Sequence, residues 1–349
     1  MLEHVLGDTI YFEDNVLFLL DQTLLPTLTI YLELQTPDEV VDAIKRLAVR
    51  GAMAIGIAGA YGALLGALGA RTGNPAGIAI ATREAIAHIS ASRPTARNLF
   101  WALERMEEAL EQGSGDEPEA LVERLHERAD EIALDTIETN RALATVGQQL
   151  ITEGISVLTH CNSGPLAALR YGTALGVLIE AHRLGKHIHV YADETRPLLQ
   201  GSRLTAWELG TSGVPYTILP DNAAAALMKQ GRVDAVMTGA DRIASNGDTA
   251  NKIGTYSIAV LARVHGIPFY IAAPGSTIDM ACAAGADMVI EERNAEELRN
   301  CGGAQTAPRN APAFNPAFDI TPAEYIAAIV TEKGIIRPPY EKNLRVFGE

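Results

Sequence analysis

The sequence predicts an α/β protein with a mainly helical N-terminal domain that opens on a β-hairpin, followed by a Rossmann-like C-terminal domain with a parallel sheet. After the hairpin, helical periodicity dominates up to residue 151, whereas from Ile155 apolar runs of strand length alternate with helical segments. Strands that are apolar on both faces and alternate with helices are typical of a parallel sheet covered on two sides.

The N-terminal domain is predicted to cover residues 1–118. Thr36-Pro37-Asp38-Glu39 is a helix start, because threonine can cap the helix, proline fits its first turn and an acid follows at the third helical position. The predicted elements, in order, are a hairpin of Thr9–Phe12 with Val16–Leu20, a helix from Pro37 to about Leu47, one over Ala52–Ala70, one over Ala76–Ile89 and one with Leu99, Leu103 and Met106 on one face.

The segment Ala52–Ala70 has no charge over nineteen residues, so its composition allows a membrane span or a buried helix. Most of its residues are alanine and glycine, and glycine recurs at positions 56, 59, 62, 66 and 69. Since small residues let helices pack closely, we interpret it as a buried core helix.

A linker, Gln112–Pro118, precedes a long helix predicted over about 119–151, which joins the two domains. The C-terminal domain is predicted to cover residues 119–349, including this linking helix. Its predicted strands are Ile155–Leu158, Ile188–Tyr191, Tyr216–Leu219, Val233–Met237, Phe269–Ala272 and Met288–Ile290.

Composition narrows the possible partners. The formal net charge of -15 argues against nucleic acid or an anionic membrane. Three cysteines favour a reducing compartment, and Met1–His4 lacks the basic start of a signal peptide, so we expect a cytoplasmic protein. No dinucleotide fingerprint or P-loop occurs, which leaves a nucleotide cofactor poorly supported.

Two polar segments follow predicted strands. Cys161 lies in Thr159–Gly164, where the amides of a following helix would lower the thiol pKa, although a small residue without chemistry fits equally well. His160 points to the opposite face if the strand continues, which favours a core or supporting role. Gln200 and Arg203, after Asp193–Pro197, suit sugar hydroxyls or an anion, although a capped helix with solvated charges also explains them.

Arg50-Gly51-Ala52 is a candidate phosphate seat, since backbone amides open a helix there and glycine lets the backbone approach an anion. Arg93 could supply a second guanidinium. Taken alone, this stretch is better explained by a surface arginine beside a turn.

The stretch Thr238–Gly254 has one acid, Asp241, at the carboxyl end of a predicted strand, where open α/β sheets place their chemistry. Asn251 and Lys252 lie near the start of the next helix, predicted over Ile253–His265, where the helix dipole favours an anion. His187 and His189 share a strand face without a suitably spaced third ligand, so no metal site is predicted.

Together, these motifs resemble one family. They are Arg50-Gly-Ala-Met-Ala-Ile-Gly56, Thr159-His-Cys-Asn162, Asp193-Glu-Thr-Arg-Pro197 with Gln200-Gly201, and Gly239-Ala-Asp-Arg242 with Asn251-Lys-Ile-Gly-Thr255. In order and spacing they resemble the methylthioribose-1-phosphate isomerases, aldose–ketose isomerases of methionine salvage. Their fold is related to the regulatory subunits of the exchange factor for translation initiation factor two.

The resemblance implies a helical domain closing over a Rossmann-like domain, a homodimer, a sugar phosphate substrate and no metal or organic cofactor. It implies catalytic roles for Cys161 and Asp241. As a hypothesis for the mechanism, we expect Asp241 to be an acid whose pKa is raised by an apolar pocket. The substrate contacts that the resemblance implies are Arg50, Gly51, Ala52, Arg93, Gln200, Asn251 and Lys252.

Three residues depart from the family pattern. Met53 stands where proline is usual, and Ser163 and Pro165 stand where small residues such as alanine are usual. They bear on substrate preference more than on reaction type. Two alternatives stay open: the same reaction on another pentose phosphate, such as 5-deoxyribose 1-phosphate or ribose 1,5-bisphosphate, and a non-catalytic regulatory subunit, which would not need the Cys161–Asp241 pair.

Overall fold

The computed structural model describes residues 8–93 and 96–345, so Met1–His4 lies outside the described residues. Contacts divide the chain into two compact units. Unit 1 holds the chain up to Thr139 together with Pro165–Tyr171, and unit 2 holds Asn140–Gly164 and the chain from Gly172. The two units separate after Thr139, inside a helix. The domain boundary near residue 118 stays a prediction.

Unit 1 is a small antiparallel sheet with helices around one apolar core. Its elements are β1 (Ile10–Glu13), β2 (Val16–Leu20), β3 (Tyr31–Leu34), α1 (Pro37–Lys45), α2 (Ala52–Gly69), α3 (Pro75–Ser90), α4 (Arg97–Gln112), α5 (Pro118–Gly147), which continues into unit 2, and α6 (Pro165–Ala168). The predicted hairpin is confirmed as β1 and β2, and β3 adds a strand that the sequence analysis missed.

Helices α1 and α2 form for the reasons that the sequence gives. Thr36 Oγ1 accepts a hydrogen bond from the Glu39 amide, and Glu39 Oε2 accepts one from the Thr36 amide at 2.9 Å, which is a complete capping box. In α2, 13 of 18 residues are buried, as expected for a core helix. Among the described residues, α2 is the one helix long and apolar enough to span a membrane.

The segment Pro165–Tyr171 belongs to unit 1 although both of its neighbours in the chain belong to unit 2. Gln22 Nε2 donates to Leu166 O at 2.8 Å, and a Cβ on Gly51 would lie 2.5 Å from the Cα atom of Ala167. Leu169 is 3% exposed and joins the apolar core of unit 1. The segment is therefore an integral part of that core.

Unit 2 is built on a seven-stranded sheet. Its elements are β4 (Ser156–Thr159), α7 (Ala174–Arg183), β5 (His189–Asp193), α8 (Ala206–Thr211), β6 (Tyr216–Leu219), α9 (Ala224–Lys229), β7 (Ala235–Thr238), β8 (Arg242–Ala244), β9 (Thr249–Lys252), α10 (Thr255–His265), β10 (Phe269–Ala272), β11 (Ile278–Asp279), α11 (Glu296–Arg299), β12 (Asn300–Cys301), β13 (Ala304–Gln305), β14 (Phe318–Thr321), β15 (Ala328–Thr331), β16 (Gly334–Ile336) and α12 (Tyr340–Asn343). The strand order is β16-β15-β10-β7-β4-β5-β6, and only β16 is antiparallel to its neighbour.

Two predictions in this unit are wrong. Met288–Ile290 forms no strand, and the strand beside β10 is β15, a buried run that was not among the predicted strands. The stretch between β7 and α10, for which the sequence pattern predicts no strand, contains β8 and β9, which pair in a second sheet of order β11-β8-β9-β14. Asn251 and Lys252 thus lie on β9, and α10 begins only at Thr255.

Candidate active site

The candidate active site of unit 2 lies at the carboxyl ends of three neighbouring strands. β7, β4 and β5 are adjacent and parallel, with Leu158 paired to Val236 and Thr159 paired to Ala192. Asp241 follows the end of β7, Cys161 follows the end of β4, and Gln200 follows β5. The carboxyl ends of adjacent parallel strands lie at one edge of a sheet, so the structure brings the loops of these three predicted residues to the same edge.

Glycines let these loops lie directly against one another. A Cβ on Gly239 would lie 3.1 Å from the Cβ of Ser163, which brings the loop of Asp241 onto the loop of Cys161. A Cβ on Gly201 would overlap the backbone oxygen of Asp193. A side chain at position 201 would therefore displace the segment that follows β5, and one at position 239 would require Ser163 to shift by a few tenths of an ångström.

Cys161 adopts a left-handed backbone, with φ 65. Its amide donates to Thr195 Oγ1 at 2.8 Å, and its carbonyl accepts from Thr205 Oγ1 at 2.7 Å. The residue is partly exposed, and none of the three cysteines, all within the described residues, forms a disulfide. The helix predicted after Cys161 begins only at Pro165 and has four residues, which weakens the argument from helix amides.

Asp241 follows β7 by three residues, and its amide donates to Ala250 O at 2.9 Å. Its side chain is exposed. The described residues therefore do not enclose Asp241 in the apolar pocket that the sequence analysis expects. The neighbouring Arg242 turns to Asp279, with Nε 2.9 Å from Oδ2.

His160 is buried between two hydrogen-bond acceptors. Its Nδ1 lies 3.0 Å from Asp193 Oδ2, and its Nε2 lies 2.9 Å from the backbone oxygen of Ile253. A carbonyl oxygen can only accept, so Nε2 carries a hydrogen, and one further proton lies between Nδ1 and the carboxyl group. His160 therefore connects the ends of β4 and β5 to the turn before α10, and its burial confirms the predicted position in the core.

The surroundings of His160 shift the pKa of both partners. Burial lowers the pKa of His160, but the hydrogen bond and charge of Asp193 outweigh it and leave this pKa raised above 6.5. Burial raises the pKa of Asp193 above 3.8, and the hydrogen bond from His160 only partly opposes this. The pair thus holds a proton more readily in the folded protein than in the unfolded chain.

His160, Asp193 and Asp221 are a potential metal group within the described chain, with ligand atoms within 4.8 Å of one another. Most of these atoms are already used. Both nitrogens of His160 are engaged, and the carboxylate of Asp221 accepts from the amides of Thr195 and Arg196 at 2.7 Å each. The three residues form a hydrogen-bond network that supports the loops.

Several buried polar atoms at this edge lack a hydrogen-bond partner among the described residues. They are Ser163 Oγ, Asp193 Oδ1, Gln200 Oε1 and Thr238 Oγ1. Gln200 is only 4% exposed. Buried polar atoms are nearly always paired in folded proteins, so these four are polar groups that the hydrogen-bond network of the loops leaves over.

Asn251 and Lys252, the other predicted contacts in unit 2, are held by protein atoms. Asn251 is buried and donates to Thr255 Oγ1 at 2.9 Å. Lys252 Nζ donates to Ala317 O at 2.9 Å and lies 4.6 Å from the ring centre of Phe318. They come from β9 and not from the helix start on which the sequence argument relied.

The remaining predicted contacts, Arg50, Gly51, Ala52 and Arg93, belong to unit 1. Gly51 is the residue before α2 and has φ 94, a conformation that favours glycine. Ala52 is the first residue of α2, and Arg50 and Arg93 are half-buried. The predicted opening of a helix behind Gly51 is confirmed.

Comparison with known proteins shows the family to which the chain belongs. The model of the initiation factor 2 subunit family matches residues 48–338. Methylthioribose-1-phosphate isomerase 2 of Pseudothermotoga lettingae is 50% identical over 341 residues, which is 98% of each chain. This chain belongs to the methylthioribose-1-phosphate isomerase family.

Solved structures confirm the fold of this family member. The 5-methylthioribose 1-phosphate isomerase of Pyrococcus horikoshii is 41% identical, with a TM-score of 0.93 over 98% of this chain and 96% of that one. The translation initiation factor eIF-2B subunit delta of A. fulgidus is 44% identical, with a TM-score of 0.89 over 97% and 98%. The resemblance drawn from the sequence motifs is confirmed, as is the kinship with translation-factor subunits.

Proposed function

We propose that this chain is an aldose–ketose isomerase that converts 5-methylthioribose 1-phosphate into 5-methylthioribulose 1-phosphate. The observation that carries the proposal is the position of Cys161 and Asp241 after adjacent parallel strands, in loops that meet at Gly239 and Ser163. Isomerase relatives at 50% identity over nearly the full length support the same reaction.

The chemistry requires an acid and a base on one small sugar. Phosphate on the anomeric oxygen blocks the spontaneous ring opening of a free aldose. An acid must protonate the ring oxygen while its bond to C1 breaks, which leaves a cationic C1. Loss of the C2 proton then gives an enol phosphate, and return of a proton to C1 with loss of the O2 proton gives the ketose.

We assign the acid to Asp241 and the base at C2 to Cys161. Because Asp241 is exposed in the described structure, the proposal requires substrate binding to exclude water around its carboxyl group before it can act as an acid near neutral pH. Cys161 is partly exposed, which leaves it accessible to a substrate. The substrate contacts that the family resemblance implies remain Arg50, Gly51, Ala52, Arg93, Gln200, Asn251 and Lys252, and Gln200 suits a sugar hydroxyl.

Hydride transfer from C2 to the cationic C1 is the alternative route, in which Cys161 would assist loss of the O2 proton. Turnover in deuterated water separates the two. Solvent deuterium at C1 of the product supports the enol route, and complete retention of the substrate hydrogen supports hydride transfer.

The test of the proposed function is a direct assay of the purified chain on methylthioribose 1-phosphate and 5-deoxyribose 1-phosphate in parallel. We expect turnover of the first at a higher kcat/KM, without added metal and after dialysis against a chelator. Faster turnover of the second would assign the chain to the other pentose phosphate. No turnover of either, by a folded protein, would favour the translation-factor role of the A. fulgidus relative.

The family resemblance also supports a homodimer in the cytoplasm, without nucleic acid or membrane partners. These properties are part of the proposal. Light scattering of the purified chain tests the dimer directly, and a monomer at assay concentrations would contradict it.

A further inference from the structure

The backbone of Cys161 is held in a conformation that a non-glycine residue rarely adopts. Its φ of 65 lies in the left-handed region, where the Cβ of an L-residue crowds the backbone. Such a residue persists only where its surroundings fix it. The contacts that fix Cys161 therefore also decide where its thiol points.

Two threonine hydroxyls supply these contacts, one on each side of the residue. Thr195 Oγ1 accepts from the Cys161 amide at 2.8 Å and donates to Asp193 O at 3.1 Å. Thr205 Oγ1 donates to the Cys161 carbonyl at 2.7 Å and accepts from Asn162 Nδ2 at 3.2 Å. Each hydroxyl uses both its donor and its acceptor capacity, so the hydrogen-bond directions are fixed.

Both threonines are themselves immobilised. Each is 0% exposed. Thr195 has φ 64, unusual for a β-branched residue, and its amide donates to Asp221 Oδ1 at 2.7 Å. Behind Thr205, the Asn162 amide group also donates to the fully buried Glu208, whose carboxylate a Cβ on Gly164 would overlap.

We propose that the hydroxyls of Thr195 and Thr205 are a clamp that positions the thiol of Cys161 for its reaction. The proposal rests on the proposed function, since it assumes that Cys161 reacts with the substrate. Neither threonine touches the reacting atoms in this role, so both are positioning residues. Their effect is on the rate of the chemical step and not on substrate binding.

The experiment replaces each hydroxyl by a methyl group of similar shape and then restores it. Thr205→Val and Thr195→Val remove the hydroxyl, whereas Thr205→Ser and Thr195→Ser keep it. Thr82→Val is the matched control, because Thr82 is also 0% exposed and its Oγ1 donates to Ile78 O at 2.8 Å within α3. For each variant, kcat and KM on methylthioribose 1-phosphate are measured beside thermal unfolding.

For the valine variants we expect kcat to fall by about 10-fold to about 100-fold, because small misplacements of a reacting group have effects of this size, while KM stays within about threefold. The serine variants should recover kcat to within about threefold of the native enzyme. Thr82→Val, which removes a buried hydroxyl from α3, should leave kcat and KM unchanged. Valine variants that fold and keep native kcat, or serine variants as slow as valine variants, overturn the clamp.

A second measurement does not depend on turnover. The rate at which iodoacetamide alkylates residue 161 is followed by peptide mass spectrometry, with Cys301, which is also partly exposed, as the internal reference. The clamp predicts a changed rate at Cys161 and an unchanged rate at Cys301 in the valine variants. If a valine variant does not fold, the alanine variant at that position replaces it in both measurements, and unchanged alkylation overturns the proposal.

Cys161→Ser, made in the otherwise native chain, distinguishes a failure of the clamp from a failure of the proposed catalytic role of Cys161. Native turnover by this variant would refute the catalytic role of Cys161, and the clamp's link to catalysis would fall with it. An inactive Cys161→Ser enzyme together with fully active valine variants would refute the clamp alone.

Discussion

Helix α2 of unit 1 and the loops at the carboxyl ends of β4, β5 and β7 in unit 2, which we call the strand edge, both contain glycines whose missing Cβ allows close contact. The contacts differ between the two regions. In α2, a Cβ on Gly66 would lie 2.6 Å from the Cβ of Ala85, so glycine brings two apolar helices together. At the strand edge, Gly164 and Gly201 face polar atoms, the carboxylate of Glu208 and the backbone oxygen of Asp193. Close approach serves packing in the first region and hydrogen bonding in the second.

The difference shows where stability and chemistry are placed. α2 carries no charge and buries 13 residues, so its contacts stabilise the fold. The strand edge buries His160, Asp193 and Glu208, which is costly unless each group is paired. We therefore expect substitutions of the glycines in α2 to act on unfolding temperature and substitutions of the glycines at the strand edge to act on catalysis.

The largest effect is expected from the two proposed catalytic residues. Cys161→Ser and Asp241→Asn should each lower kcat by about 10²-fold to 10⁴-fold, the usual contribution of a positioned acid or base. Both are outside the apolar core, so the unfolding temperature should hardly change. Cys301→Ser is the control and should keep native turnover. A near-native kcat for Asp241→Asn would show that the acid lies elsewhere.

The comparison of glycines is tested by one substitution in each region. Gly201→Ala should lower the kcat of the folded enzyme by at least about tenfold, because the new methyl displaces the loop that carries Gln200. Gly66→Ala should destabilise the fold by about 1–3 kcal/mol through overpacking and leave kcat unchanged. Thermal unfolding and initial rates measure both. A Gly66→Ala enzyme that is slow but fully stable would contradict the assignment of stability to α2 and of catalysis to the strand edge.

A smaller effect is expected from the arginine proposed to bind phosphate in unit 1. Arg93→Ala should raise KM by about 10-fold to 100-fold, the size expected for a lost charge-assisted hydrogen bond, with kcat within about threefold. Arg83→Ala, which removes an exposed pair with Glu107, is the control. A drop in kcat without a change in KM would place Arg93 in the chemical step instead.

The buried pair of His160 and Asp193 predicts a dependence of stability on pH. Because the pKa of His160 is raised above 6.5 on folding, its contribution is complete below pH 6.5 and is lost as the pH rises through the raised pKa. Asp193 acts in the same direction above pH 3.8, since its pKa is also raised. Asp221 and Asp319 also face His160, and their charges add to the field that holds its proton.

The measurement is the difference in unfolding temperature between the native chain and His160→Asn across this pH range. The native chain should be the more stable at pH 6, and its advantage should shrink as the pH rises above 6.5. An advantage that is constant or grows with pH would mean that His160 is neutral in the fold.

The smallest effect is expected at Ser163. Its buried Oγ has no partner among the described residues, so Ser163→Ala removes no hydrogen bond seen there and should neither destabilise the fold nor change kcat/KM by more than about threefold. Unfolding temperature and initial rates again measure both. A large rise in KM would instead identify this hydroxyl as a substrate contact and explain the departure from the family pattern.

Elements that depend on residue type and local spacing were predicted correctly from the sequence. The capping box at Thr36 and the buried helix α2 follow from residue type and spacing alone. Strands β8 and β9 were missed because they have three and four residues, and Thr-Ala-Asn-Lys lacks a strand-like composition. Met288–Ile290 has such a composition, but tertiary contacts give the place beside β10 to β15.

The site was predictable only in part for a related reason. The loops after β4, β5 and β7 could be predicted to converge because parallel strands end at a common edge. The left-handed backbones of Cys161 and Thr195 could not be predicted, since neither is a glycine and the bonds that hold them span 34 and 26 positions. The exposure of Asp241 could not be predicted either, since it depends on the packing of distant segments.

The brief return of Pro165–Tyr171 to unit 1 has a consequence for how the protein can be divided. A fragment cut after Thr139 would lack Leu169 from its apolar core and the Leu166 oxygen that accepts from Gln22. The complementary fragment would carry the same seven residues with their partners removed, four positions beyond Cys161. Neither fragment contains all of its own core contacts. A chimaera that exchanges one unit with a relative must therefore exchange residues 165–171 together with unit 1.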